Sequence, residues 1–147
     1  MGLDMFLYAK RDLWSSNKND KVVESSIRSV LPEIEGMEVR SIKVEAGYWR
    51  KAYQIHRWFV ENIQDGEDDC RDADVFRDQL GDLLDLCRKV MANQSRAEEL
   101  LPTSKGFFFG GTNYDNLYWE DIEHTIMVLE KCLALPKDWY FTYRSSW

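Results

Sequence analysis

Residues 48–64 run Tyr48-Trp49-Arg50-Lys51-Ala52-Tyr53-Gln54-Ile55-His56-Arg57-Trp58-Phe59-Val60-Glu61-Asn62-Ile63-Gln64, and their periodicity decides what kind of fold the chain builds. At about 100° per residue, Tyr48, Ala52, Ile55, Phe59 and Ile63 share one stripe flanked by Trp49, His56 and Val60. Arg50, Gln54, Arg57 and Glu61 fall on the opposite side, so the spacing predicts a single amphipathic helix over Tyr48–Gln64. A helix with one apolar side needs a second surface to bury it. Upstream, Leu3 to Tyr8 is a compact apolar run, too short for a helix and rich enough for a buried strand. Met37 to Glu45 alternates with many β-branched residues and is expected to be a second strand, after a Glu35-Gly36 turn. Between these strands, Ser15 to Lys21 reads as a polar loop, and Val22, Val23, Ile27, Val30 and Leu31 recur at helical spacing until Pro32.

Downstream, the acidic turn Asp65-Gly66-Glu67-Asp68-Asp69 ends the Tyr48–Gln64 helix. Asp74 is expected to cap the next one, with a stripe of Phe76, Leu80, Leu83, Leu84, Cys87, Val90 and Met91. Gly81 falls on its polar side. Ala97 to Leu101 reads as a short helical turn halted by Pro102, and Gly106 to Gly111 as a buried extended piece between glycine hinges. Asp115 is a cap for a last helix whose stripe is Tyr118, Ile122, Ile126, Leu129 and Leu133, ended by Pro136. Trp139 to Tyr143 is β-prone and is expected to pair with the N-terminal strands. With no repeat and no linker, the expectation is one α+β domain over residues 1–147: a small, mainly antiparallel sheet with about three to four helices packed on it.

Composition bounds the function. The chain has 147 residues, 44% of them hydrophobic, which is enough for one core. Its 26 acidic and 19 basic side chains give a net charge of -7, which argues against non-specific binding of duplex nucleic acid. No apolar run approaches the roughly 20 residues of a membrane span, and Met1-Gly2-Leu3-Asp4 lacks the basic start of a signal peptide, so a soluble cytoplasmic protein is expected. Cys70, Cys87 and Cys132 are odd in number, contain no CxxC pair and are expected to stay reduced. Aromatic content stands out at 14%, with six Trp.

That surplus points to ligand binding. Tyr48, Trp49, Arg50, Lys51, His56, Arg57 and Trp58 combine rings that can stack on a base with cations that can grip phosphate oxygens. Trp58 falls away from the apolar stripe and is expected to be exposed or tucked under another element. The competing reading makes Tyr48, Trp49 and Phe59 core and leaves Arg50 and Arg57 solvated. His56, on the margin of the stripe, suits a hydrogen-bonded core histidine better than a metal ligand, and His124 is expected in solvent among the surface acids Glu120, Asp121 and Glu123. The two histidines lack the i, i+4 spacing of a helical zinc motif, and the acidic turn lacks the closing Glu of a calcium loop, so no metal or other cofactor is expected. Gly110 and Gly111 precede Thr112 and Asn113 at a helix N-terminus, a place for an anion, although no Walker pattern is present. There is no GxSxG and no Cys/His pairing suited to nucleophilic catalysis.

The segments Met1-Gly2-Leu3-Asp4-Met5, Gly47-Tyr48-Trp49-Arg50-Lys51-Ala52 and Ile55-His56-Arg57-Trp58-Phe59-Val60 carry a family resemblance. So do Gly66-Glu67-Asp68-Asp69-Cys70, Glu98-Glu99-Leu100-Leu101-Pro102, Gly106-Phe107-Phe108-Phe109-Gly110 and Ser145-Ser146-Trp147. Over essentially its whole length the chain resembles the small, mostly uncharacterised tailed-phage and prophage proteins that begin MGLDMYL and carry a YWRKAN-IHKWF segment. Phe6 replaces the usual Tyr, and Ala52 stands where that pattern has Asn, removing an amide from the central segment. The resemblance implies a phage origin and action in the cytoplasm of an infected bacterium. It brings no catalytic mechanism, and small accessory proteins of this type are often counter-defence factors.

The expectation is therefore a non-enzymatic, homo-oligomeric sponge that binds a nucleotide immune signal, a cyclic ADP-ribose isomer or cyclic dinucleotide, without cleaving it. Tyr48, Trp49 and Trp58 would stack, Arg50, Lys51 and Arg57 would meet phosphates, and His56 with Asn113 would orient the ligand. Two other readings remain: an inhibitor docking on a host or defence protein, and a hydrolase of the same signals using His56 or His124.

Overall fold

A computed structural model describes residues 2–103 and 114–147. Its centre is β1, Asp4–Asp12, in which Met5, Leu7 and Ala9 are fully buried while Asp4, Phe6, Tyr8 and Lys10 are only partly so. That alternation is the strand period of two, with one side against a core and the other left open. β1 pairs antiparallel with β2, Ser41–Arg50, on one side and with β4, Tyr140–Ser146, on the other. The short β3, Ala73–Val75, adds to β4 and completes a four-stranded antiparallel sheet of order β2-β1-β4-β3. The helices are α1 (Lys18–Val30), α2 (Tyr53–Asn62), α3 (Arg77–Ala92), α4 (Ala97–Leu100) and α5 (Asn116–Ala134). The fold class is α+β, as the hydrophobic pattern predicts. No helix among the described residues is long and apolar enough to cross a membrane.

One side of the sheet supplies the core. Met5, Leu7, Trp49, Phe141 and Tyr143 face Ile55 and Phe59 of α2, Leu80, Leu83 and Cys87 of α3, and Ile122 and Leu129 of α5 in one cluster. Phe59 stacks flat on Tyr143, with centroids 3.9 Å apart, and Trp49 donates from Nε1 to Thr125 Oγ1 at 2.9 Å. Each large side chain buried this way contributes about 1.5–3 kcal/mol.

The long helix expected over Tyr48–Gln64 is divided. Tyr48, Trp49 and Arg50 are the end of β2, opposite Phe6, Met5 and Asp4. Lys51 turns the chain with φ 59° while its N–H donates to Leu3 O at 2.9 Å, and helix begins only at Tyr53. Strand pairing with β1 overrides the helical periodicity, a long-range term that spacing within one segment does not contain. The second strand starts at Ser41, not Met37. The polar stretch read as loop already holds the start of α1, because Asn17 caps it by accepting from Asn19 N at 2.9 Å and Asp20 N at 3.2 Å. Asp74 lies in β3 and caps nothing, and Phe76 N–H instead donates to Gln79 Oε1 at 2.9 Å. Asp115 does cap α5, accepting from Tyr118 N at 3.3 Å. The extended piece expected at Gly106–Gly111, and Asn113, lie outside the described residues.

Gly47 marks a close contact between sheet and helix. The register shifts beside it, with Leu7 opposite Gly47 and Tyr8 opposite Glu45, so Ala46 is the extra residue of a bulge. A Cβ at position 47 would stand 2.6 Å from Val128 Cγ1 and 2.8 Å from Trp49 Cη2. Gly47→Ala is expected to lower stability by about 1–3 kcal/mol in urea unfolding, with Val128→Ala in the same chain recovering part of the loss.

Candidate functional site

The residues singled out in the sequence fall into three places. Trp49 and His56 are core, each 2% exposed. Tyr48 and Arg50 alternate with Trp49 along β2 and so lie on the open side of the sheet, away from the helices. Lys51 is exposed at the corner after β2, while Arg57, paired with Glu61 at 2.7 Å, and Trp58, edge-on to Phe59 at 5.3 Å, belong to α2 on the helical side. Trp58 is half-buried. The structure thus brings Tyr48 and Arg50 together and divides them from His56, Arg57 and Trp58.

His56 anchors a buried polar chain. Its Nε2–H donates to Asp68 Oδ2 at 2.8 Å, since a carboxylate only accepts, and this tautomer leaves Nδ1 to accept from Tyr143 O–H at 2.7 Å. Asp68 Oδ1 also accepts from Trp147 Nε1 at 2.9 Å. Burial first, then the negative charge of Asp68 and the neighbouring Cys70, hold Tyr143 well above the ordinary phenol range, so its hydroxyl stays a donor. The acidic turn is structural in the same sense: Asp68 receives His56, and Glu67 and Asp69 both pair with Arg71. Among the described residues no group of three or more His, Cys, Asp or Glu is arranged to hold a metal ion.

The open side of the sheet holds what the sequence did not gather. Phe6 and Tyr8 lie two residues apart on β1 with rings parallel within 5° and centroids 5.9 Å apart, and Tyr48 lies 5.4 Å from Phe6. Lys43 Nζ stands 4.1 Å over the Tyr8 ring and Lys10 Nζ 5.8 Å from that of Tyr140. Arg50 is opposite Asp4, and Arg144 is opposite Phe6. Tyr48 O–H donates to Asp4 and Tyr140 O–H to Asp12 Oδ1, the latter at 3.1 Å, which fixes both rings while leaving them about two-fifths exposed. Four rings and four cations therefore share one surface that no element among the described residues covers, with Phe6, Tyr8 and Lys10 partly buried on it. The alternation of β1 carried the signal for Phe6 and Tyr8; the partners from β2 and β4 required the register.

Two groups on α5 differ from expectation. His124, expected in solvent, is half-buried: Nε2–H donates to Tyr48 O at 2.9 Å and its ring meets Trp49 edge-on at 5.8 Å. Asp121, expected on the surface, is also half-buried, and burial pushes its carboxyl up to about 6 against a hydrogen bond from Gln54 that lowers it; the charges of Glu120 and Asp115 raise it further. Such a carboxyl exchanges its proton near neutrality.

Comparison of the chain with family models, with curated proteins and with solved structures found no match.

The raised carboxyl of Asp121 has a consequence for stability. Between its ordinary value of 3.8 and about 6, the folded state keeps a proton that the unfolded chain releases. The contribution is full below pH 4 and is lost as pH rises through 6. Asp121→Asn, which keeps an oxygen for Gln54, is expected to be more stable than the native chain above pH 6, by about 1 kcal/mol once partial solvent access is discounted. Urea melts across pH 4–8 would show the advantage vanishing at the acid end; an advantage independent of pH would refute the assignment.

Proposed function

We propose that this protein binds a nucleotide-derived immune signal, a cyclic ADP-ribose isomer or a cyclic dinucleotide, on the open face of its sheet and withholds it without cleaving it. The observation that carries this reading is the shared surface of Phe6, Tyr8, Tyr48 and Tyr140 with Lys10, Lys43, Arg50 and Arg144. Rings stack on bases of any identity, at about 1–3 kcal/mol per base, and the guanidinium groups offer forked donors to phosphate. Of the residues expected from sequence, Tyr48 and Arg50 meet the ligand directly. Trp49 anchors β2, and His56 ties down β4, from beneath. The counter-defence role in the infected bacterial cytoplasm follows from the resemblance to small phage proteins.

Sequestration in preference to turnover is supported by the placement of the histidines. Both engage ring nitrogens within the fold and sit on the helical side of the sheet, away from the aromatic face. A general acid or base must reach the reacting proton within hydrogen-bond distance.

Titration calorimetry with cyclic ADP-ribose isomers and cyclic dinucleotides, together with recovery of the bound molecule, tests the reading. Micromolar or tighter binding with intact ligand is expected, weakened at least tenfold by Phe6→Ala or Arg144→Ala. His56→Ala should lower the melting temperature while leaving affinity per folded molecule unchanged. No uptake of any such ligand at micromolar levels, or recovery of cleaved product, would overturn it.

A further inference from the structure

The β2 strand ends the sheet on one side, and its outer edge is open from Ser41 to Gly47: no described segment pairs with it there. Helix α5 packs over the strand from Gly47, and at Tyr48 the edge carbonyl receives His124. Along the open part, Ile42 and Val44 lie opposite Arg11 and Ala9, on the side that elsewhere carries helices, yet Val44 is 43% exposed. Lys43 and Glu45 lie opposite Lys10 and Tyr8, on the outer face, and both are exposed. An open edge of this kind is a template for another strand.

The neighbouring α1 is short of cover in the same way. Asp20 is the one residue of its 13 that is buried, and Val22, Val30 and the adjoining Leu31 are 63%, 73% and 42% exposed. Polar links tie α1 to the body near the edge: Asp20 with Arg11 and Trp14 N, Glu24 with Val39 N, and Arg28 with Met37 O. A helix of this length is marginal in water without a packed face.

We propose that the open edge of β2 pairs antiparallel with the same edge of a second copy, centred on Val44, so that two four-stranded sheets join across a two-fold axis. Charge selects both the partner and the register. Centred on Val44, Lys43 stands directly opposite Glu45 of the second copy, and the symmetry repeats the pair. Centred on residue 43 or 45, Lys43 would oppose Lys43 or Glu45 would oppose Glu45, and like charges directly opposite are destabilising. A slip of one residue would turn Ile42 and Val44 to the wrong face. The register centred on Val44 therefore matches charge to charge and apolar to apolar using this strand alone, and it brings α1 of each copy toward the junction where its valines can be covered.

Sedimentation velocity on the full chain at micromolar concentrations, with circular dichroism to confirm folding, tests this. The native chain is expected to be a dimer, and Lys43→Glu and Glu45→Lys are each expected to weaken it at least tenfold, because each sets like charges opposite. An equimolar mixture of the two variants should restore a dimer: one copy then carries Glu at both positions and the other Lys at both, so every facing pair is opposite in sign. A misfolded variant could not be rescued this way. A monomeric native chain overturns the proposal and leaves the edge to a strand from another protein. Single variants that stay dimeric, or a mixture that stays monomeric, overturn it as well.

Discussion

The pleat of β1 governs the molecule. Met5, Leu7 and Ala9 are sealed beneath the helices while Phe6, Tyr8 and Lys10, one residue along, point the other way. Because the period is two, neither set can change sides without moving the other. The core and the aromatic face are thus one constraint expressed twice, and β2 and β4 inherit it through their pairing. Trp49 goes down because Met5 does, and Tyr48 comes up because Phe6 does. The bulge at Ala46 shifts the register once, and Gly47 beside it lets Trp49 and α5 approach closely.

Sequence spacing revealed those parts of this arrangement that one segment encodes by itself. The apolar run at Leu3–Tyr8, the stripe of α3 from Leu80 to Val90, the Asp115 cap and the terminal strand are all local patterns with a local cause. The division of Tyr48–Gln64 was not legible, because Tyr48, Trp49 and Arg50 satisfy helical spacing with the residues after them and strand alternation with the residues before them. Pairing with residues more than forty positions away decides between the two. The same limit applies to the site. Tyr48 and Arg50 stood out by residue type, but the rings and cations that accompany them come from β1 and β4, and only register makes them neighbours.

The histidines show how residue type can mislead about role. A histidine beside Arg, Trp and Lys in sequence suggests a ligand contact, yet His56 faces inward and joins Tyr143 to Asp68, and Asp68 in turn fixes Trp147 at the chain end. This polar chain ties α2, the acidic turn and β4 together, which a purely apolar contact would do with less directional specificity. Of the six Trp, Trp49 alone is buried, while Trp58, Trp119 and Trp139 are partly covered against the core and Trp14 and Trp147 are exposed.

A net charge of -7 is compatible with an anionic ligand only if charge is read by region. On the open face, Lys10, Lys43, Arg50 and Arg144 stand with Asp4, Asp12, Glu45 and Asp74, and Asp72 lies 3.8 Å from Arg144, so positive and negative charge are interspersed there. At physiological ionic strength, interactions between exposed charges fade beyond about 8 Å, so the acids elsewhere weigh little on a small molecule seated among these cations. A long duplex differs, because its phosphates continue past the edge of the sheet and meet the acidic remainder of the surface. The same composition therefore disfavours an extended polyanion and admits a compact one carrying a few phosphates and one or two bases. On the proposed reading, selectivity would come from the size of the ligand relative to this patch of mixed charge, and the pleat of β1 sets that patch.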